Sequence, residues 1–176
     1  MITSPHWVHQ MGWADLSTHG VDVELAPDEA TRARIAQMLE VEAIGRLRAF
    51  LAIRPWLDGA EIGGRVEASI TRICGITLEP FDELIDEPVL VRIVPSGSPN
   101  APAACGGEVE LDLDSEDPPD VVSGDTVDLA AFVIEHLALA LSPFPRKPGA
   151  VFEPLVTEKP PSPFAVLARL KPSSGI

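Results

Sequence analysis

Hydrophobic positions recur along this chain with two periods, and the change from one to the other marks the elements. The clearest run is Ser123–Pro145, where Leu129, Phe132, Val133, His136, Leu137, Ala140 and Leu141 fall on one helical face. Asp125-Thr126 precedes that face as a cap, and Asp128 stands in the expected first turn. Ser142-Pro143-Phe144-Pro145 cannot continue a helix. The pattern predicts a helix over 126–141, and burying its apolar face would contribute about 10 kcal/mol before entropy is counted.

Elsewhere the period is mostly two. Val21, Val23 and Leu25 alternate with Asp22 and Glu24, which suits a half-buried edge strand. Pro27, Asp28 and Glu29 then open a predicted helix over 27–40 that carries Ile35, Met38 and Leu39. Leu47, Ala49, Leu51 and Ile53 alternate with Arg46, Arg48, Phe50 and Arg54 in a predicted strand over 44–57. Asp58-Gly59 reads as a hairpin turn, and Gly63-Gly64 as a flexible point or bulge. A second strand is expected over 65–74, with Val66, Ala68 and Ile70 on one face. Pro80 interrupts, and a third strand follows Pro88 over 89–94. Residues 95–107 are turn-formers, and 108–114 alternate again, with Val109, Leu111 and Leu113 set against Glu108, Glu110, Asp112 and Asp114.

The order of these elements predicts an α+β domain over residues 1–150. Its antiparallel sheet, open or curled toward a barrel, is packed by one main amphipathic helix and joined by an N-terminal helix. Residues 151–176 read as a proline-rich tail with one short amphipathic helix.

Charge changes this picture more than composition does. The chain has 176 residues, 45% of them hydrophobic, enough for a real core, and a formal net charge of −14. Residues 96–125 hold eight acids and no Lys or Arg. A surface this acidic is repelled by a phosphate backbone and favours a basic protein partner. The N-terminus lacks the basic and apolar regions of a secretory signal, and no run is long enough to span a membrane. The expected setting is cytoplasmic, with neither membrane nor DNA as partner.

Catalytic and metal motifs are scarce. Cys74 and Cys105 do not form a disulfide framework, and Cys74 reads as a small buried hydrophobe or a reactive thiol. His6-x-x-His9 has helical metal spacing but no acid or Cys close by in sequence. His136 falls on the apolar face of the predicted helix, where a hydrogen-bonded packing role outweighs a catalytic one. The acidic run from Asp112 fails as a calcium loop, with Asp117 where the glycine belongs and Ser123 where the bidentate Glu belongs. No nucleophile elbow or phosphate-binding glycine pattern occurs. No cofactor is expected.

Two surfaces remain as candidates for binding. Glu108, Glu110, Asp112 and Asp114 form an acidic strand face suited to a basic protein, with Phe164 and Leu167 of the tail as a second contact. Arg46, Arg48 and Arg54 flank Phe50 on one strand face, the ingredients of a platform for RNA, unless cross-strand acids such as Glu67 neutralise them.

Two ordered blocks of the sequence resemble the YceD family. The first runs from Gly64-Arg65-Val66-Glu67-Ala68 through Thr71-Arg72-Ile73-Cys74 to Thr77-Leu78-Glu79-Pro80-Phe81. The second runs from Val127-Asp128-Leu129 through Glu135-His136-Leu137-Ala138-Leu139-Ala140-Leu141 to Pro143-Phe144-Pro145-Arg146-Lys147-Pro148-Gly149-Ala150. Pro163-Phe164-Ala165-Val166-Leu167-Ala168-Arg169-Leu170-Lys171 also resembles a recurrent tail of one bacterial branch of the family. The resemblance implies a part in synthesis, processing or stability of large-subunit ribosomal RNA, close to ribosome assembly. Many members carry a Cys-x-x-Cys where this chain keeps only Cys74, so no metal or redox role carries over from the paired form. The resemblance supplies no catalytic residues. The expected function is a non-enzymatic ribosome-biogenesis factor that binds a ribosomal protein or a large-subunit precursor particle. The alternatives are a direct RNA binder working through Arg46, Arg48 and Arg54, and an RNA-processing hydrolase with an unrecognised site.

Overall fold

Three long strands carry the architecture, and their alternation explains why they pair. In the computed structural model, which describes residues 7–18, 20–102 and 117–152, these are β3 (Ala43–Trp56), β4 (Gly59–Ile73) and β5 (Pro80–Pro95). Leu47, Ala49, Leu51 and Ile53 of β3 are buried on one face, and Arg46, Arg48, Phe50 and Arg54 are exposed on the other. The same alternation in β4 buries Ala60, Ile62, Val66, Ala68 and Ile70. The β3–β4 ladder is antiparallel and slips once, between Ile44 and Arg46. That bulge at Gly45 lets Ile44 face inward together with Leu47.

The five-stranded sheet has the order β2-β3-β4-β5-β6, where β2 is Val21–Leu25 and β6 is Asp120–Val122. All its pairings are antiparallel except β6, which lies parallel to Ile93–Pro95. The sheet is open. A separate ribbon joins β1 (Gln10–Gly12) to β7 (Thr126–Asp128).

Helices α1 (Trp13–Thr18), α2 (Glu29–Met38) and α3 (Leu129–Ala140) complete the described elements. Leu16, Ile35, Ala36, Leu129, Val133, Ile134 and Leu137 join the inward strand residues in one buried cluster. The expected α+β arrangement, an antiparallel sheet packed by a main amphipathic helix, is therefore what the chain forms. His136 is half-buried on α3, and its Nδ1–H donates to Phe132 O at 2.9 Å.

Several boundaries differ from the sequence expectation. The main helix starts at Leu129, not 126, because Thr126–Asp128 is taken into the ribbon with β1. Its cap is Asp128, whose carboxylate accepts from Ala130 N at 3.1 Å and from His9 N at 2.8 Å. His9 O in turn accepts from Leu129 N at 2.9 Å, so the cap also ties down the N-terminal segment. The first hairpin turns at Leu57-Asp58, one residue earlier than expected, with Leu57 at φ 51° and Gly59 already in β4. Pro80 opens β5 where an interruption was expected. The expected strand over 108–114 and the tail helix lie outside the described residues.

Candidate functional site

The outward face of the sheet is a field of paired charges. Arg46 Nη2 lies 3.3 Å from Glu67, Arg48 Nη1 lies 3.8 Å from Glu24, and Arg54 Nη2 lies 2.7 Å from Asp22. Arg65 reaches Glu67 at 2.9 Å and sits over the Phe50 ring at 6.0 Å. Arg92 bonds Glu61 at 2.9 Å and stacks over Trp56 at 5.2 Å. Each of the three arginines singled out in the sequence thus faces outward and is met by a carboxylate. Glu67 was foreseen as a partner, whereas Asp22 and Glu24 belong to β2, whose position beside β3 is a tertiary fact. Exposed pairs of this kind contribute at most about 1 kcal/mol each, so their main effect is to mask cationic charge from an anionic ligand.

At one end of the sheet the chain closes around a buried sulfur. Cys74 follows β4 and is fully buried. Its Sγ accepts from the backbone N–H of Ile76 at 3.4 Å, Thr77 at 3.5 Å and Lys147 at 3.3 Å. Leu78, at φ 59°, lets the turn fold back so that Leu78 N donates to Cys74 O and Cys74 N donates to Glu79 O. Gly75 N donates to Pro145 O, and Lys147 Nζ meets Glu79 at 3.0 Å. The turn after β4 and the segment after α3 are thereby one unit with the sulfur at its centre.

Three inward N–H dipoles favour a thiolate. The Lys147 N–H is the largest influence, followed by Thr77, and together they outweigh the burial that pushes the thiol up, lowering its pKa from 9.0 to about 6. The unfolded chain therefore holds more protons here between pH 6 and 9, and folding stability rises with pH across that window. The contribution is fully present above the ordinary thiol value and is lost as pH falls through about 6. Urea unfolding from pH 5.5 to 9 will show this rise in the native chain and a flatter profile in Cys74→Ala, while thiolate absorbance titrates with a midpoint of about 6. A native chain whose thiol titrates at its ordinary value refutes the assignment.

Beside the thiol, Arg72 is buried at 8% exposure on the inner face of β4. Its Nη1 donates to Glu83 at 3.0 Å, and its Nη2 donates to Ser142 O, just beyond α3. A shallow cleft of about 300 Å³, lined by residues that include Leu39, Glu40, Arg72, Leu141 and Pro143, runs past it. Among the described residues no three His, Cys, Asp or Glu side chains come together as a metal-holding group. Also among them, no helix is long and apolar enough to cross a membrane. Glu108, Glu110, Asp112, Asp114, Phe164 and Leu167 lie outside the described residues, as does His6.

The family model described as large ribosomal RNA subunit accumulation protein YceD matches residues 62–171. The chain belongs to the YceD family. No curated protein and no solved structure matches it. The YceD span begins within β4 and takes in β5, β6, β7 and α3. Arg72, Cys74 and Lys147 therefore fall inside it, and Arg46, Arg48 and Arg54 fall outside it.

Proposed function

We propose that this chain is a non-enzymatic factor in assembly of the large ribosomal subunit, acting in the cytoplasm by holding a basic protein component or a precursor particle. The YceD match carries this reading, since the family is described by accumulation of large-subunit ribosomal RNA. The net charge of −14 supports a basic partner over a bare phosphate backbone. Arg46, Arg48 and Arg54 are the weaker route to RNA, because each guanidinium is already met by an acid. The bonds by which Arg72 and Cys74 hold loops together support a structural role for both.

Gradient fractionation of cells carrying the tagged full chain tests this reading. The chain is expected to comigrate with large-subunit precursors, and its loss is expected to lower large-subunit ribosomal RNA relative to small-subunit RNA. If it never comigrates and its loss leaves both RNAs unchanged, the reading fails.

A further inference from the structure

β5 is a long strand whose second side is, among the described residues, largely unpaired. Antiparallel pairing with β4 runs without a slip from Pro80 to Ile93. On the other side, among the described residues, only Ile93–Pro95 are covered, by β6. Ser96 N donates to Val122 O at 3.0 Å, so even-numbered residues of this strand turn their peptide groups toward this second side. Pro80 and Pro88 are both even-numbered, and their missing N–H groups therefore cost the β4 ladder nothing. Between these two prolines Asp82, Leu84 and Asp86 turn a row of N–H and C=O groups toward that side, where none of the described strands pairs with them.

The side chains of this window are those of a docking edge for a basic strand. Leu84 is 82% exposed, although it sits mid-strand. Asp82 and Asp86 flank it, and Glu83 and Glu87 follow on the half-buried face. Among the described residues Arg72 is the one cation paired within this window, and it is committed to Glu83. The prolines limit the pairing register to the stretch between them, which restrains indefinite edge-to-edge association.

We propose that the Phe81–Glu87 edge of β5 accepts an extended, lysine- or arginine-rich polypeptide segment as an added strand. This rests on the assembly-factor reading and gives its basic partner a place to bind. Backbone hydrogen bonds supply the pairing, Leu84 takes an apolar side chain, and Asp82, Asp86 and Glu87 select for positive charge. A second copy of this edge would bring acids against acids, and so would the chain's own stretch 108–114 with Glu108, Glu110, Asp112 and Asp114.

Amide hydrogen exchange on the full chain, with a peptide of alternating lysine and valine as probe, tests the edge. The amides of Asp82, Leu84 and Asp86 are expected to slow at least about tenfold with this peptide and to stay fast with its glutamate–valine counterpart. Asp86→Lys is expected to weaken peptide affinity about fivefold at low salt, and Leu84→Pro to abolish protection while the β4 ladder remains. Four results would each overturn the proposal. They are fast amides with the basic peptide, equal protection by the acidic one, amides already protected in the free chain, and protection by polyuridylate instead of peptide. If either variant unfolds, the exchange result on the native chain decides. In the gradient, loss of comigration by the native chain sinks the assembly-factor reading itself. Comigration of the native chain and of Leu84→Pro alike sinks only the edge.

Discussion

Arg72→Ala is expected to cost about 3 kcal/mol and to loosen the end of α3 before it touches the sheet. The guanidinium is buried and bridges Glu83 of β5 to the carbonyl of Ser142. Alanine leaves that carbonyl without its donor and Glu83 without its charge partner. Glu83 keeps 30% side-chain exposure, so water relieves part of the penalty, which places the cost at the low end for a broken buried pair. The cation also lies just past a helix C-terminus, where positive charge is favourable. Urea unfolding measures the loss. Arg72→Lys should recover less than half of it, because one ammonium cannot bridge both acceptors in the guanidinium's fixed geometry. The double variant Arg72→Ala/Glu83→Gln should lose less than the two single changes added together. Exchange of the last α3 amides should quicken while the β3–β4 ladder stays protected. Strict additivity of the two changes would show that the bridge carries no coupling.

Arg72 also shows how far alternation carries along β4. Val66, Ala68 and Ile70 announce the inner face of β4 in the sequence, and the same parity puts Arg72 and Cys74 on that face. The Lys147 N–H that completes the thiol's surroundings comes from far along the chain, and no local pattern carries it. β3 was legible because one of its faces is dry and the other wet. β5 was legible only from residue 89, where Val89 becomes buried. Before that it is a sheet edge, with Glu83 and Glu87 on its inner face and Leu84 on its outer one, so the period of two carries no polarity contrast. The start of α3 was misplaced for a different reason. Asp125-Thr126 is a sound cap by composition, but pairing of Thr126–Asp128 with Gln10–Gly12 competes with helix there and wins. Of the surfaces proposed from sequence, the arginine face is where alternation put it, and its neutralising acids come partly from a neighbouring strand.

A second large loss is expected from Gly64→Ala. Gly64 lies mid-sheet in β4, paired with Leu51 on one side and Val89 on the other. A Cβ there would lie 2.0 Å from Phe50 O and 3.0 Å from Leu51 Cα, both backbone atoms that cannot swing aside, and the φ of +156° is one that side chains rarely adopt. Relief requires β3 and β4 to part at the middle of the sheet, where Leu51, Ile53, Ile62 and Val66 are packed. The expected cost is at least about 3 kcal/mol, which for a chain of this size lowers Tm by roughly 10 °C. Its neighbour supplies the control. At Gly63 a Cβ meets nothing nearer than Ala52 O at 3.9 Å, so Gly63→Ala should change stability by no more than about 0.5 kcal/mol. Thermal unfolding of the two variants side by side separates a local backbone collision from a general loss of glycine freedom. Equal Tm values would mean that the close approach of Phe50 to β4 is not part of the folded state. A fall confined to Gly64→Ala would place a tight backbone constraint just inside the N-terminal edge of the span shared with the YceD family.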